Sequence, residues 1–192
     1  MHRARHPRPG HPRPGYTLIE LLIVIGILGL SSSLLVPRMV GREAMAAQSA
    51  VRQIISDLNF AQSDALAHQE LRRVHFYDDG SGYCLTRITD TELGTPFDEN
   101  DTDQDYIYDP LAKANEAGRY IVNFTQDQYQ GVIIESAAID GTGRDIQYDS
   151  LAGTIAGGGG PGTGGTVVVK CADERYQIDI SPFTGKITIT KL

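Results

Sequence analysis

The chain has 192 residues, of which 41% are hydrophobic and 21% charged, an ordinary globular composition with room for one domain and one long additional element. The formal net charge is −7. Residues 1–15 contain four arginines and no acid, so the rest of the chain carries about −11. That charge disfavours a nucleic-acid-binding role, because a negative body repels phosphate at long range.

Residues 1–15 form a basic leader that contains a repeated pentapeptide. His6–Gly10 and His11–Gly15 both read His-Pro-Arg-Pro-Gly. Prolines at this density prevent a helix and keep the segment extended, so a peptidase could reach it. A basic segment before a hydrophobic span stays in the cytoplasm, which places everything after the span outside the cytoplasm.

Residues 16–37 are predicted to form a transmembrane helix. About 20 apolar residues suffice to cross a bilayer. From Tyr16 to Val36, Glu20 is the one residue expected to carry a charge. A carboxylate within such a segment is costly and therefore indicates a function. Pro37 is expected to loosen or kink the helix, because proline removes a backbone hydrogen bond.

Residues 38–69 continue the helix with an amphipathic pattern, which predicts one helix over 16–69, roughly 80 Å long. Apolar residues recur at intervals of three and four, as on one face of a helix. This stripe consists of Ala47, Val51, Ile54, Leu58, Ala61 and Ala65, widened by Ile55 and Leu66. The other faces hold Arg52, Gln53, Ser56, Asp57, Asn59 and Gln62. We expect the stripe to pack on the rest of the chain.

Residues 70–192 are predicted to form an antiparallel β domain, which gives an α+β fold with the long N-terminal helix packed on that domain. Short β-rich runs alternate with turn residues. The runs are Arg72–Tyr77, Tyr83–Thr89, Arg119–Phe124, Val132–Glu135, Thr166–Cys171, Tyr176–Ser181 and Lys186–Lys191. Asp79–Gly82 and Pro182–Gly185 are predicted hairpin turns. Gly157–Gly165 has seven glycines in nine residues and is predicted to be a flexible loop outside the core.

A run of oxygen-bearing side chains allows two interpretations. Its candidate Ca²⁺ ligands are Asp98, Asn100, Asp101, Asp103 and Asp105. The run is not an EF-hand, because Tyr106 and Ala112 stand where that loop needs glycine and glutamate. The alternative is a solvated acidic loop, since ten acids and one base lie between Asp78 and Asp109. The sequence indicates no other cofactor.

Two cysteines, Cys84 and Cys171, fall in predicted strands. Outside the cytoplasm such a pair could form a disulfide. Geometry decides whether the bond forms, and a sequence does not supply the geometry.

No catalytic signature is present, so the sequence predicts a protein that is not an enzyme. Ser81 lacks the spacing of a nucleophile elbow, and no Gly-Lys-Ser/Thr follows the glycine run. His68 and His75 have no cysteine or carboxylate at a telling interval, which favours exposed or structurally bonded histidines.

Gly15 is followed by Tyr-Thr-Leu-Ile-Glu-Leu-Leu-Ile-Val-Ile, and this segment resembles the processing site of type IV prepilins and type II secretion pseudopilins. The resemblance implies that a prepilin peptidase cuts after Gly15 and that the new N-terminus at Tyr16 is methylated. It also implies that residues 16–37 form a filament core, in which Glu20 pairs with the N-terminal amine of a neighbouring subunit. Tyr16 replaces the usual phenylalanine or methionine, and Pro14 stands where a lysine or arginine is common.

Leu58–Ala67, followed by Val74–Phe76, is similar to the helix end and first strand of the GspH/FimT minor pseudopilins. Those proteins show a Leu-x-x-Ala-Arg-x-x-Ala pattern there, and Gln62 stands at the position of their arginine. The segment Tyr176–Ile189 is similar to their final hairpin. Residues 90–165 show no such resemblance.

These resemblances imply a structural subunit, a minor pseudopilin of a type II secretion pseudopilus or type IV pilus. The implied location is the bacterial inner membrane, with the N-terminus in the cytoplasm and residues 70–192 in the periplasm before assembly into a filament. The implied partners are other pilin or pseudopilin subunits, the prepilin peptidase and methyltransferase, and an inner-membrane assembly platform.

Two other functions stay open at this point. One is a FimT-like minor pilin that binds DNA for uptake, with a local basic patch of Lys170, Arg175, Lys186 and Lys191. The charge of the body disfavours it. The other is a β domain anchored by a single span outside filaments, in which Glu20 would be incidental despite its cost.

Overall fold

A computed structural model describes residues 15–40, 42–101, 103–113, 116–125, 127–141 and 143–192, without the side chains of 32–40 and 127. Apart from Gly15, the predicted leader lies outside the described residues. The chain divides into two compact units, Met1–Gly41 and Arg42–Leu192. The architecture is α+β, with a helix packed on antiparallel sheets, as the sequence predicted.

The first unit contributes helix α1, Leu18–Val40. Among the residues that the structure describes, no helix combines the length and the apolar character needed to cross a bilayer. Helix α1 ends at Val40 and the next helix begins at Arg42, and residue 41 lies outside the described residues. The single helix predicted over 16–69 therefore stays a prediction.

The second unit begins with helix α2, Arg42–His68. The six core positions of the predicted stripe, from Ala47 to Ala65, are all buried, which confirms it. Leu66 does not widen the stripe: its side chain is 52% exposed. The helix ends where Gln69 adopts a left-handed φ of 55° and Glu70 donates its N–H to the carbonyl of Ala65, a common way to close a last turn.

The first sheet has five antiparallel strands in the order β3-β2-β1-β5-β6. The strands are β1 Leu71–Phe76, β2 Gly82–Ile88, β3 Ile121–Asn123, β5 Asp145–Tyr148 and β6 Thr154–Ile155. A long connection follows β2, and its Tyr106 bridges back to Thr86. The central position of β1 means that α2 leads directly into the middle of this sheet.

The second sheet has four antiparallel strands in the order β4-β7-β8-β9. The strands are β4 Val132–Ile139, β7 Gly165–Cys171, β8 Glu174–Ile180 and β9 Ile187–Lys191. In β4 the register shifts between Ile134 and Ser136, which is a β-bulge at an edge strand. The backbone N–H of Ile134 also donates to the carbonyl of Gly80, in the β1–β2 turn of the other sheet, at 2.9 Å.

One core lies between α2 and the inner faces of the two sheets. Strands alternate their side chains, so in strands such as β7 and β8 every second residue enters this core. The most deeply buried apolar side chains are Ile54, Leu58, Val74, Phe76, Leu85, Phe124, Ile146, Val167, Val169 and Ile178. Fully burying one such side chain stabilises the fold by about 1.5–3 kcal/mol, so this core holds α2 on both sheets.

The seven predicted strands are confirmed, with boundaries shifted by up to three or four residues, and both predicted hairpin turns join neighbouring strands. Strands β5 and β6 were missed. The prediction of a flexible loop over Gly157–Gly165 was wrong in part. Gly165 belongs to β7, and Gly162 and Gly164 are buried. A Cβ on Gly157 would lie 2.8 Å from the Cα of Gly94. Glycine is therefore needed here for close packing of the two backbones rather than for conformational freedom.

Candidate functional site

A threonine side chain caps the first turn of α1. Thr17 stands directly before the helix, and its hydroxyl Oγ1 accepts the backbone N–H of Glu20 at 3.3 Å. This bond satisfies one of the N–H groups that have no partner within the first helical turn. Thr-x-x-Glu is the sequence pattern of a capping box. This signal, which the predictions from sequence left unused, identifies Thr17 as the residue that fixes where the helix begins.

The predicted processing and assembly residues share one exposed segment. Gly15 and Tyr16 precede α1, and 86% of Tyr16 is exposed. Glu20 lies in the first helical turn, where an acid interacts favourably with the positive end of the helix dipole. The structure thus brings Gly15, Tyr16 and Glu20 together on an accessible stretch at the beginning of a helix.

The described part of α1 is apolar and open on every side. Its large side chains are at least half exposed: Leu18, Ile19, Leu21, Leu22, Ile23, Val24, Ile25, Ile27, Leu28 and Leu30. A Cβ built on Gly26 or Gly29 would meet nothing within 4 Å. A helix that is hydrophobic all round is ordinarily buried, and an exposed apolar patch of this extent marks an interaction surface.

Gln62 joins α2 to the final hairpin. Its Nε2 donates to the carbonyl of Ala152 at 2.7 Å and to that of Thr184 at 2.9 Å. The position at which the GspH/FimT resemblance places an arginine is therefore used here to bind two backbone carbonyls in two turns. Gly185, the next residue in the second turn, has a φ of 63° and packs against Tyr148 and Thr154.

Asp57 is a buried carboxylate on α2 that the sequence pattern placed on a polar face. It is 2% exposed and accepts hydrogen bonds from Tyr83 at 2.5 Å and Tyr120 at 2.9 Å. Gln53, one turn earlier, donates to both of its oxygens. At 100° per residue, Asp57 projects within about 60° of Ile54, so the helical period could have shown that it faces the core.

Burial and hydrogen bonding act against each other at this carboxylate. Burial raises the pKa of Asp57 above its ordinary value of 3.8, and the three donors offset part of that rise. Burial, together with the neighbouring Asp57, raises the pKa of Tyr83 well above its usual value. A buried acid with hydrogen-bond donors around it favours one orientation of α2 on the first sheet.

The acidic run Asp98–Asp105 forms local turns. Asp98 accepts the N–H of Asn100, and Asp101 accepts that of Asp103, both at 2.9 Å. Asp105 lies 3.1 Å from the guanidinium of Arg87. Over the part of the chain that the structure describes, no group of three or more His, Cys, Asp or Glu is placed to hold a metal ion. The Ca²⁺ hypothesis stays a prediction.

The two cysteines are free and buried. Cys84 in β2 pairs with His75 of β1, on the outer face of the first sheet. Cys171 in β7 belongs to the core beneath α2. Because the two thiols lie on different sheets and different sides of the fold, the disulfide left open by the sequence is not formed here. Burial raises the pKa of Cys84 to about 12, which makes it a poor nucleophile.

Three of the four bases of the suggested basic patch have acidic partners. The Lys170 ammonium and the Arg175 guanidinium lie 4.0 and 2.8 Å from Glu135, and Lys191 lies 2.6 Å from Glu174. Such pairing reduces the positive field available to phosphate groups. These contacts give the DNA-binding alternative no support.

Comparison with known proteins bears on the N-terminal segment alone. Residues 12–36 match the family model described as Prokaryotic N-terminal methylation motif. No curated protein and no solved structure matches the chain. The matched range contains the exposed Gly15–Glu20 segment and most of α1, and it supports a type IV pilin-like or pseudopilin subunit.

Proposed function

We propose that this chain is a minor pseudopilin, of the GspH/FimT kind, in a type II secretion pseudopilus or a type IV pilus. The observation that carries the proposal is the exposed beginning of α1, which follows Gly15 and Tyr16 closely. It is apolar apart from one acid, Glu20. The family match over residues 12–36 supports it, because that motif is typical of prepilin processing.

The free energy of the α1 surface favours an apolar environment over water. Burying apolar surface contributes about 25 cal/mol per Å², so the exposed side chains of α1 represent a large gain for any environment that covers them. A bilayer covers them before assembly, and the helices of other subunits cover them in a filament. The membrane then serves as the reservoir from which subunits are drawn.

Glu20 sets how neighbouring subunits align in that assembly. A carboxylate among apolar helices is unfavourable unless a positive group neutralises it. Cleavage after Gly15 creates an α-amine at Tyr16, and the amine of one subunit neutralises Glu20 of the next. Misaligned subunits leave both charges without partners, so correctly aligned addition is favoured. Arg42–Leu192 then forms the domain at the filament surface, on the periplasmic side.

The proposal implies an order of events and a set of partners. An inner-membrane prepilin peptidase removes residues 1–15 from the cytoplasmic side and methylates Tyr16. An assembly platform in the same membrane then adds the subunit to other pilins or pseudopilins. No step in this sequence requires catalysis or a cofactor from this chain.

The decisive experiment is the intact mass and N-terminal peptide sequence of the chain after co-expression with a prepilin peptidase and extraction from membranes. We expect a start at Tyr16 with one added methyl group. Gly15→Ala should block the cut. Gly10→Ala is the matched control, because Gly10 ends an identical His-Pro-Arg-Pro-Gly pentapeptide and should leave processing unchanged.

Other outcomes of this experiment contradict the proposal. A retained leader in the unmodified chain, or a cut after the apolar segment, would leave an anchored or secreted β domain outside filaments. Equal processing of the Gly15→Ala and Gly10→Ala variants would show that cleavage does not depend on Gly15.

A further inference from the structure

Two of the asparagines stand in Asn-x-Ser/Thr sequons, the motif at which oligosaccharyltransferases attach glycans to proteins outside the cytoplasm. The first sequon is 100–102, Asn-Asp-Thr, and the second is 123–125, Asn-Phe-Thr. Neither has proline at the middle position, which the motif excludes. A three-residue motif gains meaning from its surroundings, so the structure around each asparagine decides which one an enzyme can reach.

The second sequon is built into the first sheet and the core. Asn123 ends β3, whose backbone pairs with β2 at Gly82. Phe124 is fully buried and donates its backbone N–H to the carbonyl of Ser81 at 2.7 Å. Asn123 Oδ1 accepts hydrogen bonds from the N–H and the hydroxyl of Thr125, at 2.7 and 2.6 Å. An enzyme would have to withdraw Phe124 from the core to bind this motif, so the fold protects Asn123.

The first sequon lies in the long connection between β2 and β3, and the side chain of Asn100 is exposed. Its backbone N–H and its Nδ2 both donate to Asp98 Oδ1, at 2.9 and 3.3 Å. The backbone N–H of Asp101 donates to the carbonyl of Asp98 at 3.2 Å. Thr102 lies outside the described residues and enters here as a sequence position. These bonds join residues at most three positions apart, so none of them ties the motif to another part of the fold.

The segment that carries Asn100 is held at both ends by the first sheet. Before it, Phe97 stacks on His75 with ring centroids 4.3 Å apart. After it, Tyr106 forms a β-bridge with Thr86. Between these two anchors the segment is exposed or half-buried wherever the structure describes it. An enzyme can therefore bind the middle of this segment without opening the core.

We propose that Asn100 is the acceptor of an N-linked glycan, donated by a polyprenyl-pyrophosphate-linked oligosaccharide. In the transfer, Nδ2 of Asn100 attacks C1 of the first sugar and forms the N–C1 bond. The bond from C1 to the pyrophosphate oxygen breaks, and polyprenyl pyrophosphate leaves with that electron pair. One proton leaves Nδ2, and no oxidant or reductant takes part.

The compartment of this modification rests on the proposed function, which places Arg42–Leu192 outside the cytoplasm, where sequons are used. The acceptor itself can be tested without export. The test therefore combines the purified full chain in detergent micelles, a purified oligosaccharyltransferase that requires only the Asn-x-Ser/Thr sequon, and its lipid-linked donor. Failure here leaves the result for N-terminal processing untouched, so the two proposals fail separately.

Intact mass counts the glycans, and mass spectrometry of peptides locates them. We expect one glycan, on Asn100. Asn100→Gln and Thr102→Ala should abolish the mass increase, since each destroys the sequon, and Thr102→Ser should retain it. Asn123→Gln is the matched control, because it makes the same change in the second sequon and should leave the glycan in place. The urea midpoint of Asn100→Gln should match that of the parent chain, because the side chain is exposed.

A peptide separates the motif from the fold. The tryptic peptide 120–144 carries the second sequon without the core around it and should be modified, which establishes that the enzyme is active and that the fold protects Asn123. With that peptide modified, a parent chain that gains no glycan, or gains it on Asn123 instead of Asn100, would overturn the proposal. A glycan that persists in Thr102→Ala would also overturn it, because transfer would then be independent of the sequon.

Discussion

Helices α1 and α2 are neighbours in the chain and differ in where their apolar side chains find partners. Ile25 of α1 is 59% exposed, whereas Ile54 of α2 is fully buried between the two sheets. Helix α2 has one apolar stripe, and residues of its own chain cover that stripe. The described side chains of α1 are apolar on all sides apart from Glu20, and they are exposed. The comparison indicates that the apolar residues of α2 are explained by packing within the chain. Those of α1 are explained by an apolar environment outside the chain.

The acids of the two helices show the same difference. Asp57 is buried and surrounded by three hydrogen-bond donors from its own unit. Glu20 is exposed at the start of a surface that requires cover. If this comparison is correct, changes in α1 should affect assembly and spare folding, and changes in α2 should do the reverse.

The largest expected effect is the loss of assembly in Glu20→Ala. Removing the acid leaves a neighbour's amine buried without a partner, which costs about 3–5 kcal/mol, or at least a hundredfold in incorporation. The measurement is the ratio of sheared filament to membrane-bound subunit, by immunoblot, in a host with the assembly machinery. Glu43→Ala, which removes the first-turn acid of α2, is the control. Normal incorporation of Glu20→Ala would break the comparison.

A paired Ile→Ala substitution contrasts the two helices directly. Ile54→Ala should lower the free energy of unfolding of the β domain by about 2–5 kcal/mol, because it opens a cavity in the core. Ile25→Ala should change it by less than about 0.5 kcal/mol, because that side chain is exposed within the chain. Urea titration of both variants in micelles checks this. Similar losses in both would mean that α1 is part of the folded core.

Gly94→Ala examines how the segment 89–101 is held against the first sheet, where Arg73 donates to the carbonyls of Glu92 and Thr95. The residue has a φ of 76°, and a Cβ there would lie 2.6 Å from the carbonyl oxygen of Gly157. We expect a loss of about 1–3 kcal/mol in unfolding free energy, because both the backbone conformation and the space exclude a side chain. Gly158→Ala is the matched control, since its Cβ would meet nothing within 4 Å. Equal stability of the two variants would show that the segment 89–101 is not held in place at Gly94.

The smallest expected effect is a pH dependence at Asp57. Its pKa is higher in the folded chain than its ordinary value of 3.8. Between those two pKa values the folded chain holds a proton that the unfolded chain has lost, so stability falls as the pH rises through this window. The unfolding free energy of the parent chain minus that of Asp57→Asn should therefore be largest below pH 3.8 and decrease to a plateau.

The subtraction removes the opposite contributions of Asp79 and Glu92, whose pKa values are lowered chiefly by hydrogen bonds from Ser81 and Thr89. Urea titrations at several pH values supply the data. A difference that rises with pH would mean that the donors around Asp57 outweigh its burial.

Local patterns in the sequence predicted most of the fold. The period of α2 and the alternation in β8 can be read from neighbouring residues, and both were confirmed. The half-buried alternation predicted for β9 was wrong, because Ile189 is 49% exposed on this edge strand. Strand β5 was missed because it has four residues and its outward positions, Asp145 and Gln147, are polar. Its place in the sheet depends on pairing with β1, which lies some 70 residues earlier.

The candidate site divides in the same way. The Gly15–Glu20 segment is continuous in sequence, so neighbouring residues alone reveal its chemistry. The sequence shows no carboxylate near His75, because Asp145 is distant in the chain and meets the histidine only after folding. Asp57 was assigned to the wrong face because its charge was given more weight than its helical position.

The contact between Ile134 and Gly80 has a consequence for crowded assemblies. Edge strands with free backbone groups invite pairing with other chains, which is a route to aggregation. The bulge in β4 and the bond from Ile134 to Gly80 occupy part of that edge. Gly80 has a φ of 72°, and a Cβ there would lie 2.5 Å from the carbonyl oxygen of Ile134. A single glycine thus helps to keep this edge strand from pairing with another chain.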